Sequence, residues 1–185
     1  MILAPRSFWF LRHGETAWNA AGLSQGRVDI PLNERGRAQA EEAAALLAGR
    51  GIRRVHASPL ARAAETARIV AARLCLPLRF DSQLMETRFG VQEGQPMGDW
   101  YDGWIAGVFT PEGGEPFAEL RARAVAAINR ATLAPGPVLL VAHGAWWRAV
   151  RQAMGLPANI RTPNAIPILA EPGEPWRLTA LAPAG

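Results

Sequence analysis

Apolar residues follow two rhythms along this chain. Phe8 to Leu11 and Val138 to Ala142 are short unbroken runs, the pattern of strands covered on both faces. Elsewhere apolar positions recur every three or four residues, as at Ala40, Ala43, Ala44 and Leu47, or at Phe117, Leu120, Ala124 and Ile128. That spacing puts them on one side of a helix. In order, the pattern predicts a strand over 7–12, a helix after Asn33, a strand over Arg54–Ser58 and a helix over Leu60–Leu74. A short strand at Leu78–Phe80, a helix over Pro116–Leu133, a strand over Pro137–Ala142 and a helix over 145–154 follow. Two last strands lie near Ile166–Ala170 and Trp176–Leu181, the latter an edge strand in the Pro-rich tail. Asn33 is a predicted N-cap, Glu34 suits the first turn it opens, and Gly49 or Gly51 stops that helix. Residues 81–116 keep neither rhythm and are rich in Gly, Pro and Trp, which predicts an irregular excursion with short helical pieces.

Strands that alternate with helices predict a three-layer α/β/α sandwich with a mostly parallel central sheet. A length of 185 residues predicts one domain over 1–185, with 81–116 as its excursion. Ligands of such sheets bind beyond the carboxyl ends of the strands. Three segments deliver polar groups there: Arg12-His13, Ser58 with Arg62, and His143-Gly144. Cys75, the only cysteine, lies in the apolar stretch Ile69–Leu78 and reads as a small core residue, with no partner for a disulfide.

Composition mostly excludes. All 20 basic residues are arginine, the formal net charge is only +4, and no block of like charges occurs, so no nucleic-acid partner is expected. Without lysine there is no phosphate loop of the Gly-Lys-Ser type. None of Ser7, Ser24, Ser58 and Ser82 sits in a Gly-x-Ser-x-Gly elbow. His13, His56 and His143 lack local metal-ligand spacing, and His56, inside a predicted strand, reads as structural. No metal and no cofactor are expected. The apolar run at Phe8–Leu11 is too short for a signal core or a membrane span, which points to the cytoplasm and to no membrane partner. Nothing sets the number of subunits.

The chemistry starts at Phe10-Leu11-Arg12-His13-Gly14-Glu15-Thr16. A buried strand that ends in arginine, histidine and glycine offers a cation, an imidazole and close backbone approach to an anion. Ser58-Pro59-Leu60-Ala61-Arg62 places a second arginine in a first helical turn, a setting suited to phosphate. Val141-Ala142-His143-Gly144 repeats the strand-histidine-glycine pattern. Together these segments resemble the histidine phosphatase superfamily, in its phosphoglycerate-mutase-like branch, over about residues 8–150. The resemblance implies a phosphate-accepting nucleophile at His13 and a phosphate pocket of Arg12, Arg62 and His143, with the Gly144 backbone beside it. It adds Asn19 and, from the glycine loop Gln25-Gly26-Arg27, Gln25 and Gly26. The segment Leu84-Met85-Glu86-Thr87-Arg88-Phe89-Gly90-Val91-Gln92-Glu93-Gly94 resembles the loop that carries the general acid. The match puts that acid at Glu86, with Glu93 the rival. A second branch has Asp directly after the last histidine; here Gly144 stands there, in keeping with Glu86. Departures are Gln92 where Trp is common and Arg27 where an aromatic is common.

The implied activity is metal-independent hydrolysis of a small-molecule phosphomonoester through phosphohistidine. Alternatives are a phosphoglycerate mutase, a protein phosphatase and a non-catalytic phospho-ligand-binding relative. Mutases of the family usually carry more chain between the acid and the second histidine than the 57 positions here, and commonly Arg where this chain has Thr87. No anchor for a substrate carboxylate is legible. Trp100, Tyr101 and Trp104, with Ile105 and Val108, read as a lid over an apolar or aromatic leaving group.

Overall fold

The computed structural model describes residues 2–181. Its elements run β1 (Phe8–Arg12), α1 (Ala17–Ala20), α2 (Glu34–Leu47), β2 (Arg54–Ala57), α3 (Ala61–Leu74) and β3 (Leu78–Phe80). After two 3-10 turns come α4 (Trp100–Ile105), α5 (Phe117–Ala131), β4 (Val138–Ala142), α6 (Gly144–Ala153), β5 (Ile168–Glu171) and β6 (Arg177–Ala180). The six strands form one sheet in the order β3-β2-β4-β1-β5-β6. β3, β2, β4 and β1 are parallel, whereas β5 pairs antiparallel with β1 and β6 antiparallel with β5.

The unbroken apolar run of β1 serves two cores, because successive side chains leave opposite faces of a strand. Phe8 and Phe10 join Leu140 of β4 in the core beneath α5 and α6. Trp9 and Leu11 join Val55, Leu139 and Val141 in the core beneath α2 and α3. On the first face Trp147 of α6 stacks flat on Phe10, with ring centroids 4.0 Å apart and planes 4° apart. This contact seats the helix that begins right after His143.

Local signals act as read. Asn33 caps α2, its side chain accepting the Gly36 N–H at 2.8 Å. Ser58 accepts the Leu60 N–H at 3.2 Å and α3 starts at Ala61. Cys75 is a correction: it caps the end of α3 in the left-handed conformation, φ 52°, and is exposed. The helix axis stops there and the side chain leaves the apolar face, so the hydrophobic context of the stretch does not bury it.

Two glycines permit close approach near the signature loop. A Cβ on Gly14 would lie 2.2 Å from the Gly36 carbonyl oxygen, so the loop and the start of α2 touch backbone to backbone. Gly26 has φ 54°, and a Cβ there would meet the Glu93 carboxylate at 2.0 Å.

Candidate active site

Strand order explains why three distant segments converge. β4 lies between β1 and β2, so the residues leaving all three carboxyl ends are neighbours. The His13 N–H donates to the Ala142 carbonyl (3.0 Å) and the Ser58 N–H to the Val141 carbonyl (3.0 Å), carrying the ladder past the strands. Thr66 of α3 closes the ring. It accepts the Gly14 N–H at 3.0 Å and donates to the Arg62 carbonyl at 2.7 Å.

A cavity of about 310 Å³ opens over this convergence. Arg12, His13, Asn19, Gln25, Gly26 and Arg62 line it, together with Glu86 and Gly144. His13 is buried, and its Nδ1 lies 2.7 Å from the Gly14 carbonyl. A carbonyl only accepts, so Nδ1 carries the hydrogen and Nε2 of the neutral ring is a bare lone pair. Burial, then Arg62 and Arg12, push the His13 pKa well below the ordinary imidazole value. Arg12 donates to the Thr162 carbonyl at 2.6 Å, and burial lowers its pKa to about 10. Arg62 donates to the carbonyls of Gly26 (2.7 Å) and Val28 (2.9 Å). The Nε atoms of both arginines are buried without a protein acceptor.

His143 is fully buried beside His13, their ring centroids 5.2 Å apart. Its Nε2 is 2.8 Å from Ser58 Oγ and its Nδ1 has no protein partner. Burial, then Arg62 and His13, hold its pKa well below the ordinary value. Burial and the neighbouring arginines thus favour the neutral form of both imidazoles, and the positive charge rests on the arginines.

Glu86 sits at the N-terminus of α6. Its Oε1 accepts N–H groups of Trp146 (2.9 Å) and Thr87 (3.1 Å), and its Oε2 that of Ala145 (3.0 Å). Such a helix end favours an anion. Glu93 is elsewhere, tying the glycine loop to the excursion through the N–H groups of Arg27 (2.9 Å) and Phe89 (3.1 Å). Asn19 completes a capping box with Thr16 at the start of α1, and Gln25 accepts from the Thr16 hydroxyl at 3.0 Å.

Arg123 was not legible as part of this site. It holds the Glu86 loop by donating to the carbonyls of Gln83, Met85 and Glu86 at 2.6–3.1 Å, and it pairs with Glu115 at 2.6 Å. Burial opposes charge on Glu115, but the hydrogen bonds and charge of Arg123 prevail and lower its pKa. The helical spacing of α5 gives no hint that this arginine faces inward.

The expected lid is corrected. Of Trp100, Tyr101 and Trp104, only Tyr101 lines the cavity. Trp104 is fully buried in the core and donates from Nε1 to the Glu115 carbonyl at 2.9 Å. Trp100 packs edge-on against Phe89, ring centroids 5.4 Å apart. α4 uses these rings to fasten the excursion to the body of the protein. Phe89, Leu23 and Met97 provide the apolar wall instead. Two further arginines line the cavity, Arg148 of α6 and Arg161 of the connection to β5, neither singled out in the sequence. Arg148 was findable, since it falls one helical turn after Gly144. Arg161 lies in a connection without periodicity.

Among the described residues, no group of three metal-ligating side chains is placed to hold an ion, and no helix is long and apolar enough to cross a membrane.

Comparisons with known proteins agree with this geometry. The family model of the histidine phosphatase superfamily (branch 1) matches residues 8–167. A Yersinia pestis protein with the name "Probable phosphoglycerate mutase GpmB" is 35% identical over 164 residues, 82% of this chain and 76% of that protein. The solved mycobacterial glucosyl-3-phosphoglycerate phosphatase, in complex with VO3, superposes with a TM-score of 0.83 at 30% identity, over 95% of this chain and 98% of that one. A phosphoserine phosphatase from Entamoeba histolytica, solved with phosphoserine, gives 0.79 at 25% identity over 94% of each chain.

Proposed function

The chain belongs to branch 1 of the histidine phosphatase superfamily, and from that premise we propose that it hydrolyses small organic phosphomonoesters through a phosphohistidine at His13. The observation that carries this reading is the bare Nε2 of a neutral, buried His13 in a cavity lined by Arg12 and Arg62. That is an in-place nucleophile whose target's charge is met by fixed cations.

The first step forms the His13 Nε2–phosphorus bond and breaks the bond to the ester oxygen. Glu86 gives that oxygen its proton. Three of the four lone-pair positions of its carboxylate accept backbone N–H groups, which leaves one position, on Oε2, through which a proton can pass. In the second step the Glu86 carboxylate takes a proton from water as the water attacks phosphorus, which frees His13 and phosphate.

His143 serves as a neutral donor. In this reading the Ser58 hydroxyl, which accepts from the Leu60 N–H, gives its own hydrogen to His143 Nε2, 2.8 Å away. The ring then carries its single hydrogen on Nδ1, the nitrogen without a protein partner, free for a phosphoryl oxygen. The arginines supply the charge that a metal supplies in other phosphoryl-transfer sites, so the reaction proceeds without one.

Two observations favour a phosphatase over a mutase. The chain superposes on the glucosyl-3-phosphoglycerate phosphatase structure over 95% of its length with a TM-score of 0.83. Thr87, next to the acid, is buried and uncharged. The test is a phosphomonoester panel with EDTA present, alongside incubation with 3-phosphoglycerate and a trace of 2,3-bisphosphoglycerate. Phosphate release is expected; 2-phosphoglycerate formed faster than phosphate from any monoester would overturn the assignment.

A further inference from the structure

Arg27 sits in the glycine loop, at the position where an aromatic is common in the family, and the phosphoryl chemistry makes no use of it. Its neighbours Gln25 and Gly26 line the cavity, but Arg27 does not. Its side chain instead reaches the acid loop. Nε donates to the Glu86 carbonyl at 3.2 Å, and Nη2 lies 3.9 Å from Glu115 Oε2. Its backbone is fixed from two directions. Arg62 donates to the carbonyls of Gly26 and Val28, on either side of it, and the Arg27 N–H donates to Glu93 at 2.9 Å. The guanidinium is thus delivered from a fixed base.

Arg123 donates to the same Glu86 carbonyl, at 3.1 Å. Its other four N–H groups go to the two oxygens of Glu115 (2.6 and 2.9 Å) and to the carbonyls of Gln83 (2.9 Å) and Met85 (2.6 Å), which uses every donor a guanidinium has. The Glu86 carbonyl and the Thr87 N–H are the two ends of one rigid peptide plane. The N–H end donates to Glu86 Oε1 at 3.1 Å. Holding the oxygen end therefore aims the hydrogen that orients the carboxylate. Of the three N–H groups that leave Oε2 its open position, α6 sets two and the arginines set the third.

We infer that Arg27 is a positioning residue for the general acid: it ties the glycine loop to the Glu86–Thr87 peptide plane, with Arg123 as the inner anchor and Glu115 paired with both guanidiniums. The inference rests on the reading of Glu86 as the acid. Because Arg62 grips the same glycine loop, one loop joins the arginine that meets phosphate to the carboxyl group that protonates the leaving oxygen.

The experiment compares Arg27→Gln, Glu86→Gln and the double variant with the unmutated protein. Both kcat and KM are measured on p-nitrophenyl phosphate and on the alkyl phosphate that is turned over fastest. Arg27→Gln is expected to lower kcat on the alkyl phosphate about tenfold, the scale of one hydrogen bond, and on p-nitrophenyl phosphate less than about threefold. KM and inhibition by inorganic phosphate should stay within about twofold, because a residue off the cavity removes no substrate contact. In the Glu86→Gln background the same substitution should cost less than about twofold, since an absent acid cannot be misplaced. Arg27→Lys keeps the charge beside Glu115 but loses the planar fork, and should show the same selectivity with a smaller loss. No loss on the alkyl phosphate, equal losses on both substrates, weaker inhibition by phosphate, or the full loss repeated in the Glu86→Gln background would overturn the positioning role and leave the acid reading standing. If Glu86→Gln alone slows both substrates equally, the acid reading falls and the positioning role falls with it.

Discussion

On the floor of the cavity each key side chain hangs from a strand end or from the start of the helix that follows one: Arg12 and His13 from β1, Arg62 from α3 after β2, His143 from β4. On the outer wall they come from the excursion, from the second turn of α6 and from the connection to β5, as Tyr101, Arg148 and Arg161. The floor is held by backbone hydrogen bonds: His13 and Ser58 extend the sheet ladder, and Glu86 is gripped by three N–H groups. The wall is held by side chains, Trp100 on Phe89 and Arg148 on Tyr101. Positions set by backbone geometry carry chemistry that every substrate shares; positions set by side-chain packing suit the part of the substrate that varies.

The comparison can be broken from the floor first. His13→Ala removes the nucleophile, and turnover should fall by about 10⁴-fold or more, with no acid-labile phosphoenzyme and an unchanged circular dichroism spectrum. Retention of more than about one percent of the rate would reject His13 as nucleophile. Glu86→Gln should slow alkyl phosphates by about 10²–10⁴-fold and p-nitrophenyl phosphate far less, because that leaving group needs little protonation. Equal losses on both would reduce Glu86 to a structural role.

The wall is tested by Trp104→Ala. As a fully buried core ring it should lose about 3–5 kcal/mol of stability in denaturant melts. The ratio of kcat/KM between bulky and small monoesters should barely move; a large change in that ratio with little loss of stability would restore Trp104 to the lid.

Smaller effects sharpen the floor. Ser58→Ala removes the hydroxyl that faces His143 Nε2 and should lower kcat about tenfold, the scale of one hydrogen bond. The ¹⁵N shifts of His143 should show the ring losing its single tautomer. An unchanged tautomer with reduced kcat would assign Ser58 a packing role only. The two histidines also set an acid limit to stability. Their folded pKa values lie well below 6.5, so between those values and 6.5 the unfolded chain binds more protons than the native one. Their neutral burial contributes full stability above about pH 6.5, and stability falls as pH drops below it. Urea midpoints measured from pH 7.5 downward should decline, and vanadate, an anion that favours protonated imidazole, should offset the decline. A flat midpoint over this range would contradict neutral burial.

How much of this was legible follows the same division. The apolar runs of β1 and β4, the Asn33 cap and the Arg-His-Gly and His-Gly ends were readable because strand burial and capping act within a few residues. Arg12, His13, Arg62 and His143 stand at or just past such strand ends and could be singled out for that reason, whereas Glu86, Asn19, Gln25, Gly26 and Gly144 were named through the resemblance to the family. Cys75 was misread because apolar neighbours say nothing of where a helix stops. Trp100 and Trp104 were misread because six residues of helix cannot reveal whether an aromatic face meets the protein or a ligand.

The sequence by itself determined the alternation of strands and helices, the buried character of the central strands and which polar groups leave their carboxyl ends. Those properties depend on side-chain period and local backbone chemistry, which a linear string records. Only the tertiary structure decided that β4 lies between β1 and β2, which makes neighbours of residues from 12 to 143. It alone brought Glu86 to the first N–H groups of α6, the Arg123 clamp behind it, and Arg148 and Arg161 into the lining of one cavity. Such contacts join side chains far apart in the chain, and their partners are set by how layers pack rather than by any local pattern.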